Sequence, residues 1–185
     1  MTFKVDLPGG QNRLKQIILY VSERNVEARR FGLIKLNKII WKADFDAFAE
    51  RGIPVTGRAY NRQKYGPVAN EMPPVHSEML RDGYIVIQRV DFGEGVIEKR
   101  TIAQCQPQLS MFSPDDIRFV DTSIAYYWHK TGEEASDDSH GVAWSTRHNG
   151  DPMPYESAYL SDLDLRPKQR LRLEDRMLER GWISE

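Results

Sequence analysis

The side chains of this sequence able to run a reaction are few and scattered. Four histidines occur, His76, His129, His140 and His148, with a single cysteine, Cys105. A zinc site needs three or four ligands with a closely spaced pair, such as His-x-x-x-His on one helix face. The nearest pair, His140 and His148, is eight residues apart, and only Asp137 or Asp138 could join it. A hydrogen-bonded, half-buried histidine is the plainer reading of each. Cys105 with His129 or His140 would make a nucleophile and base. No local signature supports that pair, and a lone cysteine is more often a small buried hydrophobe. Asp44 and Asp46 stand two apart on a helix and point different ways, so they make no acid–base pair. Asp44 is expected instead to cap or to pair with a base such as Lys64. Gly93-Glu-Gly95 lies in a turn between strands rather than before a helix, which removes a phosphate cradle. The expectation is a protein without cofactor, metal site or catalytic residues, hence not an enzyme.

What remains is surface, and the stretch Leu33–Val68 organises it. Leu33, Leu36, Ile40, Ala43 and Ala47 share one face of a helix expected from about Phe31 to Glu50. Ile39 and Phe48 widen that face, and Trp41 and Phe45 form a second one, so the helix must pack on two sides. Gly52 suits its left-handed cap. Val55–Lys64 reads as extended, and Tyr65-Gly66-Pro67 as a junction leading into a short helix, with Pro67 in its first turn. A break is expected at Pro73-Pro74, then a restart through Val75 and Met79 to Gly83.

Around this centre the chain reads as α+β, mainly helical. Residues 1–10 are expected to form a loose arm ending in Pro-Gly-Gly. Leu14, Ile17, Ile18 and Val21 make the stripe of a first helix. A small antiparallel β-hairpin is expected over about 84–103, turning at Asp91–Gly95. Ser113-Pro-Asp-Asp116 is a helix start, with Ile117, Val120, Ile124 and Tyr127 as its buried stripe. Thr131-Gly-Glu-Glu134 is a capping box. Residues 141–154 read as loop anchored by Trp144, and Pro167–Arg180 as a last helix.

Composition fits one soluble domain. At 185 residues, 40% of them hydrophobic, the chain can bury a real core. The formal net charge of −1 supplies no global field toward nucleic acid or an anionic membrane. Basic residues do cluster at Arg24–Arg30 and Arg166–Arg172, where a solvated helix face is the plainer reading. No signal peptide is visible and no apolar run approaches the roughly 18 residues of a membrane span. With no disulfide framework, a cytoplasmic protein is expected.

Three blocks of this sequence resemble the SocA-like antitoxin family, the Panacea domain of phage-associated proteins. They are Lys35-Leu36-Asn-Lys38-Ile-Ile-Trp41-Lys-Ala-Asp44, then Arg62-Gln-Lys64-Tyr65-Gly66-Pro67-Val68, then Ser139-His140 with Trp144. The middle block is the most specific. Gln63 stands where the family has an aromatic residue, and Pro73-Pro74 interrupts a usually cleaner helix. The resemblance covers roughly residues 11–145, which suggests a domain over 1–155 and a helical extension over 156–185.

The resemblance implies an antitoxin that neutralises a partner toxin by direct contact. For some members it also implies an adaptor role that delivers the toxin to a protease. It implies no cofactor. Tyr60, Arg62, Lys64 and Tyr65 are the candidate contact residues, because Arg and Tyr are the types that most often anchor interfaces. The alternative reading is a winged-helix-like DNA-binding autoregulator, using the helix and hairpin of 74–103. The acidic turn at Asp91 and Glu94 weighs against phosphate contact there.

Overall fold

The computed structural model describes residues 3–160 and 167–183. Parts of the expected arm and extension, and Arg166 of the second basic cluster, lie outside the described residues. The architecture is α+β and mainly helical, as expected.

Its pillar is α2 (Leu33–Arg51), which touches α1 (Asn12–Arg24), α4 (Pro114–Tyr127) and α5 (Gly132–Asp137). Twelve of its nineteen residues are buried, with Leu36, Ile39 and Ala47 at 0% exposure. Each such fully buried Leu or Ile contributes about 1.5–3 kcal/mol, so this helix dominates the core. Leu33 alone departs from the expected stripe and lies 42% exposed. The helix ends as the sequence implies, at Gly52 with φ +74 and its N–H on the Phe48 carbonyl. A Cβ there would also strike the Arg172 guanidinium, so the glycine serves both the turn and the approach of α7 (Pro167–Glu179). No residue of α7 is buried. It docks through Arg176, which pairs with Glu156 at 3.3 Å, while Leu171 and Leu178 face solvent.

Helix starts follow the local chemistry. Ser113 accepts from the Asp116 N–H and Asp116 accepts from the Ser113 N–H, a reciprocal cap for α4. Thr131 and Glu134 do the same for α5. Asp116 also joins buried Arg13 at 3.1 Å and Arg51, tying α4 to α1 and α2.

The segment after α2 departs from expectation. Tyr65-Gly66-Pro67 does not lead into a helix. Residues β1 (Tyr60–Gln63) and β2 (Gly66–Ala69) form a tight antiparallel hairpin, with Gln63 opposite Gly66 and Tyr60 opposite Ala69. Gly66 takes φ +93, which lets the chain reverse after Lys64-Tyr65. Pro67 sits on the outer strand of a sheet ordered β2-β1-β5, where its missing N–H disturbs no ladder. The third strand, β5 (Pro152–Met153), pairs with Tyr60 and Asn61. The following helix, α3 (Met72–Arg81), begins with Pro73-Pro74 in its first turn rather than being broken by them.

The second sheet is the expected hairpin, β3 (Ile85–Asp91) and β4 (Ile97–Ala103), with Ile85 opposite Ala103. Residues of 141–154 include one short helix, α6 (Val142–Ser145). A 3-10 turn, Tyr155–Tyr159, then packs back on α2. Among the described residues no helix is long and apolar enough to cross a membrane.

Candidate partner-binding site

The three sequence blocks meet in space. Lys38 projects from α2 toward the β1–β2 hairpin and donates from Nζ to the Pro67 carbonyl at 3.0 Å. It is 1% exposed and, among the described residues, faces no carboxylate at bonding distance, so burial pulls its ammonium down to about 7. A Cβ on Gly66 would lie 2.0 Å from the Ser139 Oγ and 2.5 Å from the Lys38 Nζ. Only glycine therefore allows the turn, the helix lysine and the end of α5 to pack together. Ser139 is buried and donates to the Ser136 carbonyl at 2.6 Å.

The next residue, His140, stacks on Trp144 with ring centroids 3.7 Å apart. On its other contacts Trp144 donates from Nε1 to the Gln63 carbonyl at 2.9 Å and lies under the Arg62 guanidinium at 3.8 Å. Trp144 is thus anchored, as expected, and it clamps β1 to the segment after α5. Burial, then the Lys38 and Arg62 charges, lower the His140 pKa, with Asp137 acting the other way.

Two further motif residues are structural. Lys35 is 0% exposed and donates to the Arg30 and Trp128 carbonyls at 2.8 Å each, closing the loop before α2. Its pKa falls to about 8, chiefly through burial. Asp44 is buried and does not pair with Lys64, which is exposed. It accepts instead from the Thr56 N–H at 2.6 Å, the Thr56 hydroxyl, Tyr60 at 2.8 Å and Tyr155 at 3.2 Å. Burial raises its pKa in spite of these four donors. Trp41 packs on Phe45 at 5.6 Å and is half-buried.

Of the four candidate contact residues, the structure presents three. Tyr65 is 53% exposed, Lys64 is exposed and Arg62 half-exposed. Tyr60 is 2% exposed and bonded to Asp44, so it belongs to the core and not to the surface.

Beside these residues runs a cavity of about 480 Å³ between α2, the β1–β2 hairpin and α3. Its walls include Leu33, Ile34, Tyr65, Val68 and Met72, with Lys38, Lys64 and His76 as charged or titratable members and no carboxylate. A second cavity, of about 580 Å³, shares Leu33 and Ile34 as a wall and continues to Val96 and Ile97 of the β3–β4 hairpin. No local pattern announces this groove, since its walls come from separated segments.

Of the residues with catalytic chemistry, His140 lies 4.0 Å from Asp137, and Cys105 stays apart from both. Cys105 is exposed, not buried, in a shallow depression lined by Glu23, Val26 and neighbouring residues, none of them histidine. His148 lies beside Asp151 and His76 bonds the Thr101 hydroxyl at 3.0 Å. Among the described residues no group of three His, Cys, Asp or Glu side chains could hold a metal ion.

The result is a mainly helical domain with two small sheets, whose distinctive residues lock segments together beside an apolar groove. Residues 36–145 match the family described as antitoxin SocA-like, Panacea domain, and the chain belongs to that family. No curated protein and no solved structure matches the chain. Membership in an antitoxin-like family points to a non-enzymatic role.

Proposed function

We propose that this protein is an antitoxin that neutralises a toxin by seating a segment of it in the groove between α2, β1–β2 and α3. The observation that carries the reading is the convergence of Lys38, Gly66-Pro67 and Ser139-His140-Trp144 behind the Gln63–Tyr65 turn that lines the groove. Lys64 and Tyr65 stand at its rim, with Arg62 close by on the same strand turn. The groove is apolar and its lysines face no carboxylate, so the complementary segment is apolar with an acidic residue near Lys64. Such anchors in a desolvated pocket supply most of an interface's energy. Cytoplasmic action and delivery of the bound toxin to a protease are finer versions of the same reading.

Co-expression with the product of the neighbouring gene tests it. The expected result is a toxic neighbour, rescued growth and a co-purifying complex. Lys64→Glu and Tyr65→Ala should each abolish rescue while leaving thermal unfolding unchanged. A neighbour harmless on its own removes the main support. Faster loss of the toxin in the presence of this chain would favour the adaptor version.

The run of α3 directly into the β3–β4 hairpin favours a second reading, a DNA-binding autoregulator. A salt-dependent mobility shift on the protein's own promoter would support it.

A further inference from the structure

We propose that β3 pairs with β3 of a second copy, joining two hairpins into one four-stranded antiparallel sheet. This rests on the β3–β4 hairpin alone and is independent of the antitoxin reading. The hairpin has an inner and an outer strand. β4 is tied down: Arg100 donates to the Val26 and Arg29 carbonyls at 3.2 and 3.3 Å, and Glu98 accepts from the Phe31 N–H at 2.9 Å. β3 is the outer strand. Among the described residues its backbone bonds only to β4 between Val86 and Val90. Four consecutive side chains, Val86 to Arg89, are exposed, so both faces of the strand are open along with its edge.

Tyr84, Val86 and Ile87 lie 47%, 45% and 36% exposed. A seven-residue, proline-free, β-branched edge with no cover is a template for another strand. A two-stranded hairpin is also marginal by itself, and two further strands would remedy that.

The sequence of β3 selects the occupant and the register. A twofold axis at Ile87 places Ile87 opposite Ile87, Val86 opposite Gln88, Ile85 opposite Arg89 and Tyr84 opposite Val90. Ile87 meets its own copy and Tyr84 meets Val90, both apolar pairs, and no like charges meet. An axis at Gln88 brings the two Arg89 side chains to diagonal positions, and a one-residue slip turns the faces over.

Sedimentation and site-directed cross-linking on the full chain test the pairing. The wild type should show a concentration-dependent dimer, and Ile87→Lys, which sets two ammonium groups opposite each other, should weaken it by about tenfold or more. In a Cys105→Ser background, Ile87→Cys should cross-link to itself with a short bismaleimide, because paired Cα atoms lie about 4.5–5.5 Å apart. Arg89→Cys should not, since its copies would stand roughly 13 Å apart along the strands. A monomer at every concentration, a dimer indifferent to Ile87→Lys, or cross-linking at position 89 rather than 87 would each overturn the proposal.

Discussion

Gly66 is the residue on which the candidate site turns. It combines a left-handed backbone with contacts too close for any side chain, to Ser139 and Lys38. Gly66→Ala should therefore lower stability by about 2–4 kcal/mol, read as a reduced urea midpoint. Lys38, beside it, gives the protein a pH signature. Its folded pKa of about 7 lies below the ordinary 10.5, so above about pH 7 the unfolded chain holds a proton that the folded one does not. Stability should then rise with pH from about 7, where Lys35 joins in above about 8. Tyr60 and Tyr155, whose pKa values burial raises, reverse the trend beyond 10. Between pH 7 and 8 the rise belongs chiefly to Lys38. Lys38→Met should flatten that interval, removing on the order of 1 kcal/mol of pH dependence. Urea unfolding at pH 7 and pH 8 gives the comparison.

Elements were legible where local chemistry settles them. The stripe of α1, the two-sided burial of α2, the Gly52 cap and the capping boxes at Ser113 and Thr131 all stand in the sequence as they stand in the fold. Because the α4 cap is local, Ser113→Ala should cost about 1 kcal/mol, measured by thermal unfolding, with little change elsewhere. The β1–β2 hairpin was not legible. Pro67 follows Gly66 as it would at a helix start, and what decides for a strand is the sheet partner at Pro152–Met153, some ninety residues on. Burial of Lys35 and Lys38 was hidden for a similar reason. Lysines on a helix normally read as solvated, and the carbonyls that accept from them, of Arg30, Trp128 and Pro67, belong to other segments. The true partners of Asp44 were hidden likewise, being spread over residues 56, 60 and 155.

For the whole molecule, the family match at residues 36–145 is smaller than the unit that packs. α1 supplies core residues before it, and Tyr155 and Ser157 are buried after it. The 3-10 turn Tyr155–Tyr159 packs with the core, whereas α7 contributes no buried residue. A chain ending at Leu160 should accordingly fold with a melting temperature lowered by only a few degrees, equivalent to about 1 kcal/mol. A chain ending at Met153 should fail to fold cooperatively. Circular dichroism melts of the two separate these outcomes.

The Asp44 cluster also fixes an order of events. Its last hydroxyl donor arrives 111 residues after the carboxylate itself. On a ribosome, Thr56 and Tyr60 follow Asp44 within sixteen residues, but the fourth donor, Tyr155, comes much later. A stalled or prematurely terminated polypeptide would keep that helix loose and offer it to cellular proteases. Protection of that helix is therefore expected to be complete only once Tyr155 has been added.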